Sequence, residues 1–323
     1  MLTIGVLGAG NTGKTHLRLL PGIRNYKLVG YYDPSGKDPG DECQAICFAS
    51  AEELLESCDV IDITSPTIAN YKIAEQALRK SKHVFIENSF STNIAQAKKL
   101  VQLARESGSK VHVGQNERFN AALRAAQKYI GSPALIECRQ HYTMSPAGEN
   151  VSLVSDLLVH DINIVLSLIN SNIRSVHAAG VSVMNESPDI INARIEFDNG
   201  SVADLSISCV APVEKHSAVF YRRDAYTEVD FRENTARIIQ RDNDQESVHE
   251  KSVKPLNNIS VNKIEVQPLD AVKLQLESFS EAIINNTRPL VSIDDGFNAL
   301  PVVNKIIDQL RLNANFAAST IIA

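Results

Sequence analysis

The amino-acid sequence predicts an α/β protein in two parts, a doubly wound parallel sheet followed by an α+β domain with an open, mostly antiparallel sheet. Two observations support this prediction. In the first third of the chain, short apolar runs alternate with amphipathic helical patterns, as they do in βαβ units. Farther along, alternating strand patterns follow one another without helices between them. This change of character predicts domains spanning residues 1–118 and 119–323.

The first part contains apolar runs that lack polar alternation, the pattern of strands buried on both faces of a parallel sheet. They are Leu2–Leu7, Lys27–Tyr32, Ala45–Ala49, Val60–Thr64, His83–Glu87 and Lys110–Gly114. Apolar residues at helical spacing between these runs predict the helices Lys14–Leu20, Ser50–Ser57, Ala69–Lys80 and Thr92–Glu106. The alternation of the two patterns predicts the doubly wound sheet.

The second part begins with a helix over Ala121–Tyr129 and continues with strands and one further helix, roughly Leu153–Leu168. The predicted strands are Leu135–Thr143, Ser175–Met184, Ile190–Phe197, Ser201–Ser208, Ser217–Tyr221, Ala225–Phe231 and Thr235–Gln240. Asn199-Gly200 is typical of a tight hairpin between two of them. The polar stretch Asp242–Ser260 is predicted to be a loop, and two amphipathic helices close the chain.

Composition narrows the classes of function. The 323-residue chain has a formal net charge of −6 and no dense run of Lys or Arg, which argues against a nucleic-acid partner and against a membrane-surface helix. Its five cysteines are scattered without a CxxC, and its eight histidines form no HxxxH or HExxH. Neither a disulfide framework nor a metal site is therefore expected. The sequence predicts a reduced, metal-free, cytoplasmic protein.

A glycine-rich turn follows the first predicted strand. Gly8, Gly10 and Gly13 form GxGxxG, with Asn11 and Thr12 between them, and the turn opens a helix. These glycines permit a tight turn, close approach of the backbone to a pyrophosphate, and close helix–strand packing. The exposed N–H groups of the helix terminus then face the anion. The spacing predicts a dinucleotide site.

Asp33 completes this pattern, since it ends the second strand about 20 residues beyond Gly13, where an acid binds the ribose 2′-hydroxyl. A carboxylate at this position disfavours the 2′-phosphate of NADP, so NAD is the predicted cofactor. The alternative is a turn acid in Asp33-Pro34-Ser35-Gly36. Ser65 and Pro66 leave the fourth strand at the edge where cofactors lie, or they begin the next helix as its N-cap.

The whole chain resembles the Gfo/Idh/MocA family of oxidoreductases. The motifs that match are GxGxxGxxH from Gly8 to His16, Asp33, Ser65-Pro66-Thr67, Val84-Phe85-Ile86-Glu87, Glu117-Arg118-Phe119-Asn120 and Asp156-Leu157-Leu158-Val159-His160-Asp161. The resemblance implies oxidation or reduction of a sugar or cyclitol hydroxyl with NAD(P), and the last two motifs are most similar to a subgroup that oxidises the 3-hydroxyl of UDP-N-acetylglucosamine. It also implies a homodimer or homotetramer paired through the outer face of the second sheet, in the domain that binds substrate.

The sequence departs from the family pattern at the predicted catalytic site. The family's Glu-Lys-Pro is here Glu87-Asn88-Ser89. An amide can hydrogen-bond a hydroxyl, but it neither accepts its proton nor offers a positive charge. A histidine common in the family is here Asn70, and an acid common three residues after the site histidine is here Asn163. Asn88 and Asn163 are retained as predicted site residues.

The remaining site residues are predicted from their chemistry. His160 is the candidate acid/base for the substrate hydroxyl, because the imidazole pKa suits proton exchange at neutral pH. Asp156 lies four residues earlier on the same helical face and could orient the imidazole. Glu87 supports the cofactor or Asn88, or it pairs with Arg118. Arg118 and Asn120 could bind substrate or join the domains.

Two functions remain open from the sequence. The first is an NAD-dependent oxidoreductase acting on a sugar or nucleotide sugar, with His160 as acid/base. The second is a catalytically reduced protein that keeps the fold and the dinucleotide and serves as a sensor, scaffold or partner subunit. The replacement of the family's lysine by Asn88 motivates the second.

Overall fold

The computed structural model describes residues 1–40, 43, 45–65, 67–87, 93–143, 157–184, 187–223, 225–241 and 259–320. These residues form two compact units, Met1–Phe119 with Asp270–Val302, and Asn120–Leu269 with Val303–Ala323. The first unit thus includes a segment that follows the second sheet in the sequence. The domain division after residue 118 stays a prediction.

The α-helices of the described residues are α1 Asn11–Leu19, α2 Ala51–Glu56, α3 Thr67–Arg79, α4 Ile94–Ser107, α5 Ala121–Ile130, α6 Val159–Leu168, α7 Ala271–Ile284 and α8 Ile293–Thr320. The strands are β1 Leu2–Leu7, β2 Tyr26–Tyr32, β3 Val60–Ile63, β4 His83–Ile86, β5 Val111–Val113, β6 Leu135–His141, β7 Ile173–Val181, β8 Ile190–Phe197, β9 Val202–Ser208, β10 Lys215–Arg222, β11 Ala225–Asp230, β12 Thr235–Arg241 and β13 Ile259–Ile264.

The sheet of the first unit is parallel throughout and has the order β2-β1-β3-β4-β5. The order reverses beside β1, which is the switch point where open sheets bind ligands. Strand β4 shows how both faces are covered. Val84 and Ile86 pack in a core with α2, α3 and α4, whereas Phe85 packs on the opposite face with α1 and α7. Burial on both faces explains the continuous apolar runs of the sequence.

The strand predicted over Ala45–Ala49 is wrong. Of that run, Cys47 makes a single bridge to Tyr31 at the edge of β2. Two hydrogen bonds flank the bridge, from Tyr31 N to Ile46 O (2.9 Å) and from Phe48 N to Tyr31 O (2.8 Å). Gly30, beside the bridge, has a φ of +155°, and a Cβ on it would lie 2.3 Å from the Ile46 carbonyl oxygen. The sheet therefore has five strands.

The sheet of the second unit has the order β13-β12-β11-β10-β6-β9-β8-β7. Its strands pair antiparallel except for β6 with β9, which run parallel. In β6, Ile136, Cys138 and Gln140 are buried while their neighbours are more exposed, so one face of the sheet is covered. The fold class predicted from the sequence is confirmed.

Strand β13 was not predicted, because the sequence assigned its first residues, Ile259 and Ser260, to a loop. It is an edge strand in which most residues are exposed, so it lacks the buried alternation that marks the other strands. The rest of the predicted loop, residues 242–258, lies outside the described residues. No helix in the described part of the chain is long and apolar enough to cross a membrane. All five cysteines are free.

Gln275 fixes α7 to the loop that follows β5. Its side chain is fully buried, and its Oε1 accepts hydrogen bonds from Gln115 N (2.9 Å) and His112 Nε2 (3.3 Å). Its Nε2 donates to Asn116 Oδ1 (2.6 Å). Burial lowers the pKa of His112 to about 4, so this imidazole is neutral and donates from Nε2. One glutamine thus satisfies polar groups of the buried residues His112 and Gln115 and also binds the exposed Asn116.

The variant Gln275→Leu is expected to lower the free energy of unfolding by about 2–3 kcal/mol, since it leaves buried polar groups without partners. Lys273→Ala, an exposed change on the same helix, is the control and should cost less than about 0.5 kcal/mol. Urea unfolding measures both. Equal stability of the two variants would contradict the role given to Gln275.

Candidate functional site

The glycine-rich turn connects β1 to α1 at the carboxyl edge of the parallel sheet. Gly8 has a φ of +110°, a conformation that favours glycine. A Cβ at Gly13 would lie 1.9 Å from the carbonyl oxygen of Gly8, so a side chain there cannot be accommodated. Helix α1 and strand β1 therefore approach as closely as a dinucleotide turn requires.

Gly10, unlike Gly13, has space for a side chain. A Cβ built on it would meet no atom within 4 Å, and its backbone is extended at the N-cap of α1. The space over Gly10 is open, next to the first N–H groups of a nine-residue helix, including those of Asn11 and Thr12. Such N–H groups lack partners within a helix and carry a partial positive charge. The residues present fit a pyrophosphate.

Strand β3 holds the turn in place. The Thr64 hydroxyl, just after β3, donates to Gly8 O at 2.8 Å, and a Cβ at Gly8 would lie 2.9 Å from Ser65 N. Ser65 is buried at the end of the strand. The structure thus brings Ser65 against the turn, as the dinucleotide prediction requires. Pro66 lies outside the described residues.

Asp33 lies just after β2 and contacts the same turn. Its Oδ2 accepts from Ala9 N at 2.6 Å, and its Oδ1 accepts from Ser35 N at 2.8 Å. Partial burial opposes ionisation, but the hydrogen bonds from Ser35 and Ala9 outweigh it and hold the pKa of Asp33 below its ordinary value. A charged carboxylate therefore stands beside the glycine-rich turn.

Beneath this edge lies a group of three side chains, His16 of α1, Asp62 of β3 and Glu87 after β4, here named the buried charge cluster. His16 and Asp62 are 0% exposed, and Glu87 is 8% exposed. His16 Nδ1 lies 2.7 Å from Asp62 Oδ2, and His16 Nε2 lies 3.6 Å from Glu87 Oε2. The imidazole stands between two carboxylates.

The charges of the cluster follow from this geometry. Burial alone would lower the pKa of His16, but the charge and hydrogen bond of Asp62, together with the charges of Glu87 and Asp270, raise it to about 9. Burial raises the pKa of Glu87 to about 7, although the His16 charge opposes the shift. At neutral pH the cluster holds an imidazolium, and Glu87 is close to half protonated.

Glu87 is also connected to the Gln275 network. Asn116 hydrogen-bonds the Glu87 carboxylate, and since Asn116 Oδ1 accepts from Gln275, the donor is its Nδ2. Of the alternatives left open by the sequence, the ion pair that Glu87 makes is with His16 rather than with Arg118. Arg118 is half-buried near Asp295 and Arg288, and partial burial lowers its pKa.

In the second unit, His160 lies in the first turn of α6 and is partly exposed. The next residue, Asp161, is fully buried and accepts hydrogen bonds from Gln140 Nε2 of β6 (2.7 Å) and His216 Nε2 of β10 (3.1 Å). The His216 ring packs against Phe231, with centroids 4.5 Å apart. Asp161 therefore fixes the turn that carries His160 to two strands of the sheet.

Two residues that were predicted to bind substrate make hydrogen bonds within the second unit. Asn120 is the N-cap of α5, where its Oδ1 accepts from Ala122 N (2.9 Å) and its Nδ2 donates to Phe231 O (2.9 Å). Asn163 is 2% exposed and its Nδ2 donates to Val159 O (2.9 Å) within its own helix. Both amides hydrogen-bond backbone atoms, and the substrate contact of each stays a prediction.

Other predicted residues cannot be placed. Asn88, Ser89 and Asp156 lie outside the described residues, as does the side chain of Asn70. Among the residues that are described, no group of three His, Cys, Asp or Glu side chains could hold a metal ion.

Asp62 was missed by the sequence analysis, as were Asn116 and Gln275. The signal for Asp62 was an acid within the four-residue apolar run of β3, a place where a charge requires a buried partner.

Gly10→Ala and Gly13→Ala form a matched pair for testing the turn. Gly13→Ala is expected to lower the free energy of unfolding by more than about 2 kcal/mol, because its Cβ would overlap the Gly8 carbonyl. Gly10→Ala should leave stability within about 0.5 kcal/mol and weaken dinucleotide binding about tenfold, since its methyl group enters the open space. Thermal unfolding and fluorescence titration measure the two effects. A stable, tightly binding Gly13→Ala protein would refute this account.

His16→Gln is expected to lower the free energy of unfolding by about 3–5 kcal/mol, because it leaves Asp62 buried without a cation. Adding Asp62→Asn should recover part of that loss, since the uncompensated charge is then removed. Because folding raises the His16 pKa, the stabilisation is complete below its ordinary pKa of 6.5 and is lost as pH rises through about 9. Urea unfolding at several pH values measures this, and absence of any recovery in the double variant would count against the pairing.

The chain is similar to known oxidoreductases in sequence. A family model described as "Oxidoreductase family, NAD-binding Rossmann fold" matches residues 2–115, and the GFO/IDH/MocA C-terminal domain matches residues 121–234. UDP-N-acetylglucosamine 3-dehydrogenase of Acidithiobacillus ferrooxidans is 26% identical over 283 residues, covering 86% of this chain and 88% of that protein. Inositol 2-dehydrogenase of Klebsiella pneumoniae is 28% identical over 233 residues, covering 64% and 67%.

Solved structures show the same fold. The structure of the Acidithiobacillus ferrooxidans enzyme matches with a TM-score of 0.88 at 23% identity, covering 97% of this chain and 98% of that one. An NAD-binding oxidoreductase of Klebsiella pneumoniae matches with a TM-score of 0.82 at 19% identity, covering 96% of each chain. The two family models together span most of the chain. The chain therefore belongs to the GFO/IDH/MocA family of oxidoreductases and carries its NAD-binding Rossmann fold.

Proposed function

We propose that the protein is an NAD-dependent dehydrogenase that transfers a hydride between the nicotinamide and a hydroxyl-bearing carbon of a sugar or nucleotide sugar. The observation that carries the proposal is the turn of Gly8, Gly10 and Gly13, shaped for a pyrophosphate and flanked by the Asp33 carboxylate. The named activities of two relatives, on UDP-N-acetylglucosamine and on inositol, support a polyol substrate.

NAD is favoured over NADP by the charge of Asp33. Its carboxylate accepts the Ala9 N–H of the glycine-rich turn and has a lowered pKa, so it is ionised at neutral pH. An ionised acid next to the ribose accepts a hydrogen bond from the 2′-hydroxyl of NAD and repels the 2′-phosphate of NADP. Bound NAD supplies the hydride acceptor.

His160 is proposed to exchange the substrate hydroxyl proton. It is partly exposed at the start of α6, and Asp161 fixes that turn through Gln140 and His216. A fixed imidazole at a helix start can take up a proton as the hydride leaves the substrate carbon. Asp156, one helical turn earlier in the sequence, is proposed to orient it. The proposed substrate contacts are Arg118, Asn120 and Asn163, of which the Arg118 guanidinium could bind an anionic group.

A second candidate is a catalytically reduced family member that binds NAD as a sensor, scaffold or partner subunit. The observation that favours it is Asn88, since an amide cannot replace the family's lysine in proton transfer. We also propose a cytoplasmic homodimer or homotetramer, as the family resemblance implies.

The deciding experiment is an assay at 340 nm with NAD or NADH against UDP-hexoses, free hexoses and inositols. Turnover is expected with one of these classes, and His160→Ala should reduce it by about 10²–10⁴-fold while NAD affinity changes less than about threefold. His177→Ala, an exposed histidine on β7, is the matched control and should retain turnover. Full activity in His160→Ala would remove that residue from its proposed role.

Asn88→Lys separates the two candidate functions. A wild-type protein that binds NAD but turns over none of the sugars in either direction, together with turnover gained in Asn88→Lys, would favour the catalytically reduced protein. Turnover in the wild type that does not increase in Asn88→Lys would favour the dehydrogenase.

A further inference from the structure

The buried charge cluster has no part in the proton transfer proposed above, yet it lies at the edge of the sheet that binds the cofactor. His16, Asp62 and Glu87 come from three different elements and meet in a place from which water is almost excluded. Buried ionisable groups destabilise a fold unless their charges are compensated. Packing alone does not account for three buried ionisable side chains in one place.

The cluster is incompletely satisfied. His16 Nε2, Asp62 Oδ1 and Glu87 Oε2 are buried and have no hydrogen-bond partner among the described residues. At 3.6 Å, the contact between His16 Nε2 and Glu87 Oε2 is an ion pair rather than a hydrogen bond. Glu87 Oε2 is therefore the atom on which a proton can be held without displacing another donor.

The groups that face Glu87 decide how readily it changes charge. Burial and the charges of Asp62 and Glu117 favour its protonated form, while the His16 imidazolium and the hydrogen bond from Asn116 favour the carboxylate. These opposing influences place the pKa of Glu87 at about 7. Gly114, the residue after β5, lies close to the carboxyl group, since a Cβ there would lie 2.7 Å from Glu87 Oε2. A modest change in nearby charge is enough to protonate or ionise the group.

The dinucleotide brings such a change to this place. Asp33 follows β2 and the pyrophosphate turn follows β1, so the adenosine half lies on the β2 side of the sheet. The order β2-β1-β3-β4 then directs the nicotinamide half over the ends of β3 and β4, where Glu87 lies. The nicotinamide ring is cationic in NAD⁺ and neutral in NADH.

We propose that Glu87, held by His16 and Asp62, sets the preference of the site between the oxidised and reduced dinucleotide by exchanging one proton with solvent. When NAD⁺ binds, the protonated Glu87 carboxyl releases its proton and the carboxylate faces the cationic ring. When NADH binds, the proton stays on Glu87. No electron moves in this step, and the proton goes to buffer. The inference rests on the cofactor of the proposed function.

Calorimetric titration of the full chain with NAD⁺ and with NADH, each in phosphate and in Tris, tests this. Other groups that release protons when either dinucleotide binds contribute equally to both titrations. Their contribution therefore cancels when the two titrations are compared. Near pH 6.5, NAD⁺ is expected to release a clear fraction of one proton and NADH none. Between about pH 6 and about pH 8, the affinity for NAD⁺ relative to NADH should rise about fivefold. These wild-type measurements need no variant.

Glu87→Gln should abolish both the proton release and the pH dependence of the affinity ratio. The control is Asp59→Asn, which removes a carboxylate at the opposite edge of the sheet, where it accepts from Thr3 N at 2.9 Å. That variant should behave as the wild type does. Equal proton release for the two dinucleotides, or an unchanged difference in Glu87→Gln, would overturn the inference while leaving NAD binding intact. Failure of either dinucleotide to bind would overturn the cofactor assignment and the inference with it.

Discussion

The first unit depends on the buried pair of His16 and Asp62. This pair joins α1 to β3 at 2.7 Å in a fully buried place, so the helix cannot rotate or slide without separating two charges in a low-dielectric interior. The orientation of α1 in turn fixes its N-terminus over the glycine-rich turn, and it directs His16 Nε2 toward Glu87. One ion pair thus sets both the phosphate-binding geometry and the charge beneath the sheet edge.

The second unit uses a similar device with different chemistry. Asp161 is buried and is held by Gln140 and His216 from two strands. Because a buried carboxylate must be hydrogen-bonded, these contacts restrict the first turn of α6 to one position. In both units, a buried acid thus joins a helix to the neighbouring sheet.

Local patterns made much of the fold and part of the site predictable from the sequence. The strand, the glycines and Asp33 are close in the chain, and the geometry of the turn requires glycine at Gly8 and Gly13. Gln275 could not be found in this way, because its role is a hydrogen bond to Asn116, which lies 159 positions earlier in the chain. The N-cap role of Asn120 was missed for a related reason, since a cap residue and a substrate ligand are the same residue type.

The absence of the family's lysine changes the electrostatics next to Glu87. The residue that follows Glu87 in the chain is the neutral Asn88, so that position cannot contribute a cation to the buried acid. Among the groups that shift the pKa of Glu87, the stabilising charge is that of His16, while Asp62 and Glu117 oppose ionisation. With one cation facing three acids, the charge of Glu87 depends on whatever binds at the sheet edge. Without a lysine at the next position, the charge of Glu87 is set by burial and by the groups that face it.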